Sequence, residues 1–279
     1  MGKIIFWVLP GRPETSRYLT TSQRTVAIAR AKRGLHPEPP STIDTHAVKP
    51  AFHDIRIYIY ALLYTAILMP NLSLFYFLPS VIADCGWGQM PKNALMTVPP
   101  LASSFIGMIL VAWKSDRMRD RGRWIALLTL IGAVGYVLLL TVPVPGLRYF
   151  AVFLVSWGSL YFFPGYDSLN DSPALPLTLA WISGNCATET KRSLGLSVAV
   201  SMGNTIPIAL PWAFSLTAAP RFFVGYAVCT GLLVFACVLS LVLHWYCLWE
   251  NGKMDREYGN SSGKVRVDGD DDVNFRYFY

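Results

Sequence analysis

The sequence predicts an all-α integral membrane protein, a bundle of six membrane-crossing helices. Three observations point there. First, charge is scarce and segregated. Of the 279 residues 53% are hydrophobic and only 15% charged, where soluble domains carry about a quarter. Second, six stretches each approach the ~20 predominantly apolar residues that a helix needs to cross hydrocarbon. Third, lysine and arginine alternate between rich and poor in successive loops. Inside lipid every backbone N–H and C=O must pair within the protein, so apolar spans of this length fold as helices.

Taken in order, residues 1–56 form a cytoplasmic region. Its apolar run Ile4–Leu9 is too short for a signal-peptide core and ends at Pro10 and Gly11. Thr15–Leu35 reads as an amphipathic surface helix, with Thr20 and Gln23 as a capping box and Arg24, Arg30, Lys32 and Arg33 as a basic face. Pro37, Pro39, Pro40 and Pro50 mark a flexible linker. The membrane domain, residues 57–249, holds spans at 57–82, 93–113, 124–142, 149–166, 194–218 and 222–248. They are separated by Asp84–Gly88, by Lys114–Arg123, by Pro143, Pro145 and Gly146, by Lys191 and Arg192, and by Pro220 and Arg221. Residues 250–279 are polar and rich in Gly and Asp, which predicts a disordered cytoplasmic tail.

The basic residues orient these spans. Nine lie between Lys3 and Arg56; then come Lys92 alone, the five of Lys114–Arg123, Arg148 alone, Lys191 with Arg192, Arg221 alone, and five in the tail. Rich loops belong in the cytoplasm, so both termini lie there and the number of crossings is even. Ala174–Ala187 is apolar but too short to span. A crossing there would put Lys191 and Arg192 outside, so it reads as an extension of the fourth span or a re-entrant piece. The net charge of +7 is then a matter of topology, not of nucleic-acid binding.

Composition also narrows the chemistry. The five cysteines form no CxxC pair, and with four scattered histidines no metal-ligand cluster is expected. No catalytic triad, phosphate-cradling Gly loop or catalytic carboxylate pair is visible, so neither an enzyme nor a cofactor is expected. His244, near the end of the last span, reads as an interfacial histidine, with a proton relay as the alternative.

The strongest local signal is Trp113–Arg123. Asp116, Arg117, Arg121, Gly122 and Arg123 together can form a charge network between two helix ends that breaks and re-forms as helices rock. The alternative is a basic loop that only sets topology. The pattern D-R-x-x-x-R-G-R between two spans resembles the signature loop of the major facilitator superfamily. Leu9–Thr20 resembles the stretch after the sixth helix of fungal anion:cation symporters, the group of allantoate, nicotinate and pantothenate permeases. Tyr76–Pro79, Met96–Pro99, Trp181–Asn185 and Ala219–Phe222 match in the same order. The likeness covers nearly all of residues 4–250. It departs at Gly11, where the family has Asp, and at residues 165–173, which read as an insertion.

The resemblance implies the C-terminal half of a twelve-helix transporter. Its partners would be the lipid bilayer, a small anionic solute and protons, and its place the plasma membrane. The first six helices of that pattern are absent, so two further readings stand: self-pairing of two copies, or a non-transporting remnant or membrane interaction protein. In facilitator-type folds the first and fourth helices of each half line the cavity. Polar residues within spans are candidates because hydrocarbon penalises them. Asn71, Ser73 and Tyr76 on the first span, Trp157, Ser159, Tyr161, Trp181 and Asn185 on the fourth, and Asn204 and Thr205 on the fifth are therefore the expected solute-contacting residues. Each also fits a packing role, as interhelical hydrogen-bonding glue.

Overall fold

A computed structural model describes Thr20, Gln23, residues 52–84, 92–118, 120–159, 174–186, 189–205, Ile208 and residues 222–258. The chain divides into two compact units, Met1–Thr45 and His46–Tyr279. In the first, the Gln23 side chain accepts from the Thr20 backbone N–H at 3.1 Å, the reciprocal half of a capping box.

Seven helices are described in the second unit: α1 Ile55–Asp84, α2 Lys92–Met118, α3 Arg121–Thr141, α4 Pro145–Ser159, α5 Ala174–Gly184, α6 Glu189–Thr205 and α7 Phe223–Tyr258. No strand occurs among the described residues. Four helices are long and apolar enough to cross a membrane, within Ile55–Leu74, Leu95–Ser115, Arg121–Thr141 and Phe223–Arg256. They answer to the first, second, third and sixth expected spans. The fourth expected span begins as α4, and Tyr161 and the remainder to residue 166 lie outside the described residues. The fifth begins as α6, five residues ahead of its expected start at 194, and all but Ile208 of its end from residue 206 on lies outside them.

Local chemistry sets the helix ends. Asp54 starts α1, its side chain accepting from the Arg56 N–H at 2.9 Å. Asp120 is the N-cap of α3. Val142 N–H closes α3 onto the Leu138 carbonyl at 3.0 Å, and Pro143 follows. Pro145 opens α4 at the one position where a missing N–H is harmless. One expectation is corrected. Helix α7 does not stop at Trp249 but runs on to Tyr258, because Met254 packs against the core and the Arg256 side chain donates to the Gly252 carbonyl at 3.0 Å. Such cations are favoured at a helix C-terminus.

Helix α1 is the axis of the bundle and touches α2, α4, α5, α6 and α7. Of its apolar window 83% is buried, against 22% for α2. Helix α7 packs along α3, and α3 along α4. The α3–α4 contact is close because glycines meet there. A Cβ placed on Gly158 would lie 2.4 Å from the Gly132 Cα, and one on Gly135 would lie 2.8 Å from the Val155 backbone nitrogen. Without a hydrophobic drive inside lipid, helices associate through such close approach. Helix α5 packs on α1, α3 and α6. It is a distinct helix of 11 residues.

Candidate functional site

Two buried polar clusters and one outer stripe stand out. The first cluster lies where α3 begins. Asp120, only 2% exposed, accepts from the Arg123 backbone N–H at 3.4 Å and pairs through Oδ2 with the Arg123 Nε. Its other oxygen lies 3.4 Å from His244 Nδ1 on α7. Gly122 lets these elements meet: a Cβ there would fall 2.9 Å from the His244 Cβ and 3.1 Å from the Trp181 ring. Arg121 donates to the Ala180 carbonyl, and Arg192 on α6 donates to the Ser183 carbonyl at 3.0 Å. Two guanidinium groups thus bond to carbonyls near the C-terminus of α5, where cations also complement the helix dipole.

The same end holds a second layer. The Asn185 Nδ2 donates to the Tyr60 hydroxyl at 2.7 Å and lies 3.8 Å from the Cys247 sulfur. The Tyr60 ring meets Trp181 edge-on at 5.4 Å. The Arg56 guanidinium sits 5.5 Å over the Tyr246 ring. Asp54 pairs with Lys191. Burial alone would raise the Asp54 carboxyl, but the Lys191 hydrogen bond and charge, with the Arg56 N–H, outweigh it and hold the group below its ordinary value.

The second cluster lies at mid-span. Pro70 interrupts α1, and its carbonyl accepts from Tyr136 on α3 at 2.7 Å and from Ser73 at 2.9 Å. Ser73 also contacts the Tyr136 hydroxyl at 3.0 Å and the Cys229 sulfur on α7 at 3.2 Å. One residue from the proline, Asn71 is fully buried, and neither atom of its amide has a hydrogen-bond partner. An unmet amide inside a bundle costs about 1–3 kcal/mol, so Asn71 is a polar group held ready in an apolar setting.

The outer stripe runs along α6. Ser197, Ser201, Asn204 and Thr205 are all exposed on one face. Ser197, Asn204 and Thr205 bond back to the carbonyls of Ser193, Val200 and Ser201 at 2.7, 2.8 and 2.7 Å. This quiets part of their polarity but leaves oxygen acceptors facing outward.

Among the described residues, those expected to touch a solute lie at several places in the bundle. Trp181 and Asn185 come together, with Tyr60, at the arginine-rich end. Asn71 lies apart near Pro70. Asn204 is on the α6 stripe. Tyr76 is 66% exposed. Trp157 faces α2, where a Cβ on Gly107 would touch its ring at 3.4 Å. Tyr161 lies outside the described residues, as does the Asp116 side chain. Of the loop residues, Arg121, Gly122 and Arg123 enter the buried network. Arg117 is exposed and lies 5.7 Å over the Trp113 ring. The buried carboxylate is Asp120, which the sequence reading passed over, although an Asp directly before an apolar run is an N-cap signal. His244 is 4% exposed, packed inside the bundle.

No family model and no solved structure matches the chain. Among curated proteins it is 25% identical over 275 residues to an uncharacterized transporter of Schizosaccharomyces pombe, covering 99% of this chain and 53% of that protein. It is 29% identical over 267 residues to the MFS transporter prlL of a fungal species, covering 93% and 50%. It is 26% identical over 292 residues to the major facilitator-type transporter hxnP of Emericella nidulans, covering 100% and 55%. The chain therefore spans about half the length of the curated relatives it matches. These relatives are transporters rather than enzymes. Two of the three carry the name of the major facilitator superfamily, and with the apolar helices they support a membrane protein.

Proposed function

We propose that this chain forms a six-helix half of a solute transporter, with α4 and α5 as parts of the fourth span and α6 as the start of the fifth. The α6 stripe carries this reading. A face lined by Ser197, Ser201, Asn204 and Thr205 is poorly suited to lipid, since polar groups inside a membrane turn toward protein or a water-filled cavity. The outer face of α7, by contrast, presents Val234, Val238, Leu241 and Val242, as lipid contact requires. An apolar outside and one polar flank beside the axial helix α1 suit a bundle that works against a second bundle across a wet cavity. Asn71 supplies an amide able both to donate and to accept.

The solute class is a small organic anion or vitamin-like acid of the allantoate, nicotinate or pantothenate type, carried with protons across the plasma membrane, both termini lying in the cytoplasm. The resemblance of Leu9–Thr20 and of the Asp116–Arg123 loop to the fungal anion:cation symporters supports it. Cells expressing the chain, alone and joined to six preceding helices of a matched relative, are assayed for uptake of these labelled acids at pH 5 and pH 7.5. Uptake above vector background, larger at pH 5, is expected. Correct insertion with no uptake of any member of a broad solute panel overturns the reading. Uptake only in the joined form identifies this half as insufficient by itself, and uptake by the chain alone with a cross-linked dimer identifies self-pairing.

A further inference from the structure

We propose that His244 and Asp120 form a proton-operated latch that ties α7 to the start of α3. The contact joins elements far apart in the chain. His244 lies within α7 and Asp120 immediately before α3, with the imidazole Nδ1 at 3.4 Å from the carboxylate Oδ1. The histidine side chain is 6% exposed and the carboxylate 3%. At 3.4 Å a neutral imidazole makes a long, weak contact. A protonated one makes an ion pair with a buried carboxylate, and such charge-assisted bonds are shorter and about twice as strong.

The surroundings favour a two-state contact. Asp120 is already neutralised by Arg123, whose side chain is 63% exposed and free to shift toward water when a second cation arrives. Among the described residues the charged groups acting on the imidazole are these two, both from the α3 side. From α5 comes the Trp181 ring, held with His244 against Gly122. From α1 the nearest titratable groups are Tyr60, engaged with Asn185, and Arg56, stacked on Tyr246. On α7 itself Cys247 faces Tyr60, and Glu250 is half-buried two turns on. Among the described residues Asp120 is thus the carboxylate beside His244. A proton on the imidazole draws α7 onto the α3 cap; its loss leaves Asp120 to Arg123 and loosens the α3–α7 contact at this end. The latch depends on no particular solute.

The chain has four histidines, which makes a direct titration practical. Full-length protein carrying ¹⁵N-histidine is reconstituted in nanodiscs, and the His244 signal is assigned by its loss in His244→Gln. The signal should respond to pH. Asp120→Asn, which still caps α3, should move the midpoint down, and Arg123→Gln should move it up, since an opposite charge at this range favours the charged form and a like charge opposes it. Hydrogen exchange of the 114–124 and 240–248 peptides, corrected for intrinsic rates, should slow at least fivefold on protonation, and should not respond to pH in His244→Gln. A silent His244, a midpoint unmoved by both variants, or exchange insensitive to its protonation overturns the latch. Arg123→Gln touches a mostly exposed side chain, so the test stands even if Asp120→Asn fails to fold.

Discussion

At the scale of single residues, the glycines show what close packing demands. A methyl group on Gly158 would strike the Gly132 Cα, the Gly132 nitrogen and the Leu128 carbonyl at 2.4–2.8 Å. All three are backbone atoms, so neither helix can yield by turning a side chain. Gly158→Ala should therefore force α3 and α4 apart and destabilise the bundle by about 1–3 kcal/mol, the usual cost of overpacking. At Gly231 nothing lies within 4 Å of an added Cβ, so Gly231→Ala should leave the melting temperature unchanged or slightly raised. Thermal unfolding of both variants in detergent checks the contrast, and equal effects refute it. Phe222 stands out as the non-glycine residue with a positive φ, 32°. Its ring is anchored against Phe77 at 5.3 Å, and that packing offsets the strain at the start of α7.

At the scale of elements, α1 depends on contacts that compensate for its interruptions. Pro70 cannot donate a backbone hydrogen bond, and the Tyr136 hydroxyl, bonded to its carbonyl at 2.7 Å, ties the weakened point to α3. Tyr136→Phe should cost about 1 kcal/mol, the net worth of a buried hydrogen bond, and should raise amide exchange in α1 around residues 66–74. Unchanged exchange there would show that the tyrosine does not brace the helix. At its N-terminus α1 is held by Asp54, whose carboxyl Lys191 and Arg56 keep below its ordinary value of about 3.8. A group lowered in the folded state contributes stability above its unfolded pKa and loses it as pH falls through the folded one. The stability gap between the native chain and Asp54→Asn should thus be constant above about pH 4 and close at lower pH. A gap that widens on acidification contradicts the assignment.

At the scale of the bundle, the distribution of polarity over the outer faces is the functional statement. Helix α7 presents branched apolar side chains outward, and α6 presents hydroxyls and an amide. If α6 flanks a wet cavity, a cysteine at Ser201 should react quickly with a water-soluble maleimide in intact membranes, whereas one at Val238, also exposed on the bundle, should be at least tenfold slower. Equal rates would place the α6 stripe against lipid and remove the main support for the transport reading.

Four helices long and apolar enough to cross a membrane, and their order, were legible in the sequence. Hydropathy, proline and capping act within a few residues, so Asp54, Pro143 and Pro145 mark ends that need no tertiary context. The same local signals showed that Arg121, Gly122 and Arg123 belong together. What they did not show is that Asp120 is buried. Asp116 stands beside an arginine and drew attention, but Asp120 makes the cap and meets His244, a partner 124 positions away that only the α3–α7 packing brings near. The gathering of Tyr60, Asn185, Trp181 and Cys247 is likewise a product of three helices converging, as is the separation of Asn71 from the other solute candidates. Sequence by itself determined that this chain is a set of membrane-compatible helices with a basic loop at one end, because those properties are local. The tertiary structure decided which polar groups are paired, which are left wanting and which face outward, because burial and contact belong to the packed bundle and to no segment of it alone.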